Sequence, residues 1–87
     1  MEKIILDGRE MTCKRRLHIY LEDKLGFPDY YGKNADALYD CLVEFCKDKS
    51  IEIINTDRML KNLGDYGFII LNVFEDAISE NLQFVHD

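Results

Sequence analysis

Residues 28–45 read PDYYGKNADALYDCLVEF. Pro28 disfavours a helical Phe27 and closes any helix before it. Tyr30 and Tyr31 stand beside Gly32, the residue type best suited to a turn with positive φ. Asn34 is a good N-cap, because its side-chain oxygen can accept a bond from an unpaired N–H of the next turn. From there Leu38, Cys41, Leu42 and Phe45 recur at i, i+3, i+4 and i+7, a stripe expected to face a core. At about 100° per residue, Asp36 and Asp40 fall nearly opposite that stripe, one turn apart. Val43 and Lys47 share their face, and Glu44 lies beside it. Like charges at i, i+4 oppose a helix by about 0.2–0.5 kcal/mol. Asp36 recovers part of this from the helix dipole, whereas Asp40 lies too far along. Two readings stay open: a solvated helix face, or a preformed anionic prong flanked by tyrosines.

Working outward, Lys3 to Leu6 is short, apolar and β-branched, and Asp7-Gly8 stops it, so a first strand is expected there. Its continuous apolar run suits a buried parallel strand. Thr12 can cap a helix running to about Leu25, with Cys13, Leu17, Tyr20 and Leu21 at helical spacing and Gly26 as its C′ residue. Lys14 to Arg16 come early and Glu22-Asp23 late, against the dipole, so burial must hold this helix. His18 has no partner nearby in sequence and reads as a surface or half-buried side chain.

Beyond the central helix, Lys47 to Ser50 is polar linker and Ile51 to Ile54 a second strand. Asn55 or Thr56 caps a brief helix from about Asp57 to Leu63, with Met59, Leu60 and Leu63 inward and Gly64 ending it. Phe68 to Leu71 alone could be a strand. Ile70, Val73, Phe74 and Ala77 keep the helical spacing, however, and decide for a helix within Gly67 to Leu82. Leu82 to Val85 reads as a third strand. Strands separated by helices imply right-handed crossovers. The expected fold class is therefore α/β: a small three-stranded parallel sheet packed with about four helices, in a single domain over residues 1–87.

The 87 residues carry 17 acidic against 11 basic side chains, a formal charge of −6, and 47% are hydrophobic. That balance argues against binding nucleic acid through its phosphates, which needs clustered Lys and Arg. It favours a basic partner drawn by charge complementarity. Lys14-Arg15-Arg16 is the only basic run. No apolar run approaches the ~20 residues of a membrane span, and the N-terminus lacks the apolar core of an export signal. Three cysteines without a C-x-x-C pair fit reduced thiols in the cytoplasm. Cys41 is expected buried and Cys46 exposed.

Paired carboxylates can act as acid and base, but two exposed positions on one helix offer no asymmetry to push their pKa values apart. Two aspartates one turn apart are also too few oxygens for a metal. With no phosphate loop, metalloprotease motif or nucleophile motif in the chain, neither an enzyme nor a metal or other cofactor is expected.

The spacing P-x-Y-Y-G-x-N-x-D-A-L-aromatic-D-C-L over residues 28–42 resembles the signature segment of the barstar family, intracellular inhibitors of secreted barnase-type ribonucleases. Weaker likeness reaches IILDG at the start, Leu17-His18, and VFEDA near the end. The resemblance implies the same three-stranded parallel fold and a role as a ribonuclease inhibitor that imitates RNA phosphates. It implies a basic secreted ribonuclease as partner, no direct nucleic-acid or membrane contact, and a monomer when free. By resemblance Asp40 enters the nuclease's phosphate site, Asp36 pairs with a basic residue at its rim, and Tyr30 stacks near its catalytic histidine. Asn34 makes a backbone-type hydrogen bond. Tyr39 stands where the family has a tryptophan and Asp76 where it has a glutamate, with Glu80 peripheral. Val43 and Glu44 join the candidate contact set by helix geometry, on or beside the face of Asp36 and Asp40.

The chain also departs from the family. Glu44 occupies a family glycine position and Phe45 a tryptophan position. The loop CKDKS lacks the proline that relatives often carry before the second strand. The alternative is a module of this fold that acts on a different basic toxin, or as an adaptor, without inhibiting a ribonuclease.

Overall fold

The structure, a computed structural model, describes residues 2–87. Strand β1 (Glu2–Asp7) is followed by a 3-10 turn at Gly8–Glu10 and helix α1 (Lys14–Leu25). Helix α2 (Ala35–Phe45) leads into strand β2 (Lys49–Ile54). Helices α3 (Thr56–Leu63) and α4 (Asp65–Ala77), then a 3-10 turn at Ile78–Glu80, return the chain to strand β3 (Gln83–His86). The sheet is parallel throughout, in the order β1-β2-β3, with Leu6 opposite Ile53 and Ile51 opposite Phe84. The expected α/β fold with three parallel strands and four helices is therefore the observed one.

Sequential strands joined by right-handed crossovers carry all the connecting helices to one face of the sheet. The strands show it. Leu6, Ile51, Ile53 and Phe84 are buried, while Ile5 and Val85, one residue away and on the other face, are about half exposed. Against the covered face pack Leu17 and Leu21 of α1, Leu38 and Leu42 of α2, Met59 of α3, and Ile70 and Phe74 of α4. The Phe74 and Phe84 rings stack at 4.9 Å. No helix among the described residues is long and apolar enough to cross a membrane.

Several local readings need correction. Helix α1 begins after Cys13, not Thr12, and has no side-chain cap; Cys13 is exposed. Gly26 does close α1 in the left-handed region at φ 68°. Cys46, the residue that caps α2 with its N–H on the Leu42 carbonyl, is fully buried in the core. Burial pushes its thiol up to about 11. Lys49 and Ser50 belong to β2 rather than to a linker.

Helix α3 starts at Thr56, and neither Asn55 nor Thr56 caps it with a side chain. Its first N–H groups, those of Asn55 and Thr56, donate instead to the Asp87 carboxylate at 2.8 and 2.9 Å. Leu60 and Leu63 are only partly buried. Helix α4 starts two residues before Gly67, at Asp65. At Gly8 the backbone of Asn55 comes so close that any Cβ would collide with its carbonyl, which pins the end of β1 to the start of α3.

Candidate functional site

Helix α2 is set by its first turn. The Asn34 side chain accepts the Ala37 N–H at 2.8 Å and donates to the Gly32 carbonyl at 3.3 Å, so the expected N-cap is present. Leu38, Cys41 and Leu42 are buried, and Phe45 packs partly against the core. With that stripe fixed, Asp36 and Asp40 point into solvent.

Helices α2 and α4 pack side by side and leave an open groove of about 610 Å³ between them. Ala35, Asp36, Tyr39 and Asp40 line it from α2, and Val73 and Asp76 from α4. Tyr39 and Val73 pack on the core, while the three aspartates are exposed. Among the described residues none of these carboxylates, nor that of Glu44, has a salt-bridge or hydrogen-bond partner. Their field reaches inward: the Cys41 thiol is raised, first by burial and then by Glu44 and Asp40.

Four of the eight candidate residues, Asp36, Tyr39, Asp40 and Asp76, thus share one groove. Val43, half-buried, and Glu44, exposed, lie further along α2 and do not line it. Tyr30 stands out from the preceding loop, 72% exposed. Its neighbour Tyr31 is buried, with its ring 4.9 Å from that of Phe27.

The loop owes its position to His18, which sequence reading placed at or near the surface. His18 is in fact buried on α1 between two tyrosine hydroxyls, 2.6 Å from Tyr31 through Nδ1 and 2.6 Å from Tyr66 of α4 through Nε2. In the neutral ring one nitrogen accepts a hydroxyl proton and the other donates its own, so a single imidazole satisfies both tyrosines. Burial, then the charges of Lys14 and Lys33, push the His18 pKa down to about 4. Burial likewise raises the Tyr31 phenol. The Lys14 ammonium sits 4.5 Å from the Tyr66 ring centroid and covers this bridge.

Ala35 and Val73 also went unrecognised as groove residues. Val73 lies three residues before Asp76, which was the available signal, but its place in an apolar stripe pointed to the core. Among the described residues no group of three or more His, Cys, Asp or Glu side chains is placed to hold a metal ion. What the groove can offer is shaped negative charge: three carboxylates on a rigid pair of helices, with an aromatic ring between them.

Comparison with known proteins agrees with this arrangement. The profile of the family described as "Barstar (barnase inhibitor)" matches residues 1–85. A protein of Bacillus subtilis (strain 168) named "Putative ribonuclease inhibitor YrdF" is 43% identical over 82 residues, which span 92% of this chain and 89% of that relative. The family is one of inhibitors rather than enzymes. By the match over nearly its whole length, and by the parallel sheet that carries the acidic helix pair, this chain belongs to the barstar family.

Proposed function

We propose that the protein inhibits a basic, secreted, barnase-type ribonuclease by seating the α2–α4 groove in the enzyme's RNA-binding site. The observation that supports this reading is the convergence of Asp36, Asp40 and Asp76 on one groove with no internal counter-ion among the described residues. A ribonuclease must keep Arg, Lys and His side chains at its active site to hold the phosphates of its substrate. Carboxylates at fixed spacing meet those groups through charge-assisted hydrogen bonds, which are short and directional. Because the capped helix α2 is already ordered, little conformational entropy is lost on docking.

In this reading Asp40, which lines the groove one turn after Asp36, takes the phosphate position. Asp36 and Asp76 pair with basic groups on either side. Tyr39 and the exposed Tyr30 supply aromatic contact area at low rotamer cost. The Asn34 side chain is occupied by its capping bonds and its carbonyl by the Leu38 N–H, so it holds the shape of the surface while its backbone N–H faces the partner. Val43 and Glu44 extend the contact along α2. Glu44 adds bulk and charge beside the contact surface, so the cognate enzyme has a wider or more basic site to receive it. The protein acts as a cytoplasmic monomer that protects the cell from the nuclease.

The test is RNA hydrolysis by barnase and related basic ribonucleases with increasing amounts of the protein. The expected result is stoichiometric inhibition that weakens as salt is raised. A folded protein that inhibits none of them would instead support a module directed at another basic toxin.

A further inference from the structure

Among the described residues, few large apolar side chains are well exposed: Ile5, Tyr30, Phe68, Ile69, Ile78 and Val85. Ile5 and Val85 lie on the bare sheet face, where nothing indicates what would cover them. Tyr30, Phe68 and Ile69 differ, because they occur on the two segments that His18 ties together, the loop before α2 and the first turns of α4.

On α4, Ile69 precedes Val73 by one turn and Asp76 by two, so at about 100° per residue it continues the groove stripe. Phe68 stands next to it on the crest of the helix, 57% exposed, with Asp65 one turn before and Glu75 two turns after. An apolar pair in the middle of an otherwise acidic helix crest opposes solubility, and the core does not require it.

We infer that the partner-binding surface extends beyond the carboxylate groove onto the first turns of α4, where Phe68 and Ile69 receive an apolar side chain of the basic ribonuclease. This extension rests on the function proposed above and adds to it the chemistry of the partner: an apolar anchor ringed by Lys or Arg, beside the enzyme's phosphate site. Charge complementarity selects this occupant. The acids that rim the patch would repel those of a second copy of this chain, whose net charge is −6, and attract a basic surface. The apolar pair then adds a desolvated patch to the affinity that the groove carboxylates supply through charge-assisted bonds.

The experiment compares wild type, Phe68→Ser/Ile69→Ser and Asp40→Ala for inhibition of barnase and other basic ribonucleases at two salt concentrations. Far-ultraviolet circular dichroism and sedimentation equilibrium are run on each free protein. Both replaced side chains are exposed, so the double variant keeps its fold. The expected result is at least a tenfold weaker inhibition constant for the double variant, with the salt dependence of wild type retained. Inhibition by the double variant equal to wild type, while Asp40→Ala loses it, would overturn the α4 extension and leave the groove reading intact. A wild-type dimer that the double variant converts to monomer would also overturn it, assigning the patch to self-association. Absence of inhibition by wild type would overturn both.

Discussion

Two sets of carboxylates on this small molecule do opposite things. At the C-terminal ends of the strands, Asp7 and Asp87 are fully engaged by the protein itself. Asp7 accepts the Arg9 N–H at 2.9 Å, the Arg9 guanidinium at 2.8 to 3.2 Å and the Asn55 side-chain amide at 3.0 Å. The Arg9 side chain holds its carboxyl well below the usual range. Asp87 caps α3 from the far end of the chain, and Thr56, through its hydroxyl and its N–H, then the Asn55 N–H, hold it low. Across the molecule, Asp36, Asp40 and Asp76 converge without any such partner among the described residues. Acids that have donors inside the fold serve the fold. Acids placed together without donors are disposed for someone else's.

Substitution can break this contrast from either side. The largest effect is expected at Asp40. If Asp40 takes the proposed phosphate position with two charge-assisted hydrogen bonds at about 1.5 kcal/mol each, Asp40→Ala should weaken inhibition roughly a hundredfold. Unfolding in urea should shift by no more than about 0.5 kcal/mol, as for other exposed surface positions.

Next comes His18, whose truncation to Ala leaves the Tyr31 and Tyr66 hydroxyls without their shared partner and is expected to cost about 2 kcal/mol in urea unfolding. The same residue gives the wild type a pH signature. Its folded pKa of about 4 lies below its ordinary 6.5, so the unfolded chain binds the extra proton between those values. The bridge's contribution is therefore complete above pH 6.5 and is lost as pH falls toward 4, on the order of 2 kcal/mol. In His18→Gln that slope should flatten.

Asp87→Ala is expected to lower stability by less and to leave inhibition unchanged. Its folded pKa is also depressed, so its share persists above about 3.8 and disappears only in more acid solution, below the His18 window. The smallest effect concerns the thiols. Cys13 should react promptly with a disulfide reagent near neutral pH, while Cys41 and Cys46, buried and with raised pKa values, should react only as the protein opens.

The frame of the fold was legible because it rests on local periodicity. The stripe Leu38, Cys41, Leu42, Phe45 faced Asp36 and Asp40 outward without any tertiary information, and the helix caps at Asn34 and Gly26 needed only their neighbours. Phe68 to Leu71 alone fitted a strand as well as a helix; the spacing through Ala77 decided it. What escaped was set by pairs far apart in sequence. His18 reads as solitary until Tyr31 and Tyr66 arrive, 13 and 48 residues away. The cap of α3 comes from Asp87, 31 residues beyond Thr56. Cys46 departed from its expected exposure because it lies at a helix end, where a one-residue shift turns a side chain in or out. In the site, Asp36 and Asp40 followed from helix geometry and Asp76 from family resemblance alone. That Asp76 meets the other two across a groove floored by Tyr39 and Val73 required the packing of α2 on α4.

The central claim is that the groove carboxylates serve binding and not folding. The most direct measurement is an inhibition titration of a barnase-type ribonuclease by Asp40→Ala, on protein whose urea midpoint has been compared with wild type. An unchanged midpoint with inhibition lost at stoichiometric concentration is the predicted result. Inhibition equal to wild type, or loss of inhibition only together with loss of the fold, would contradict it.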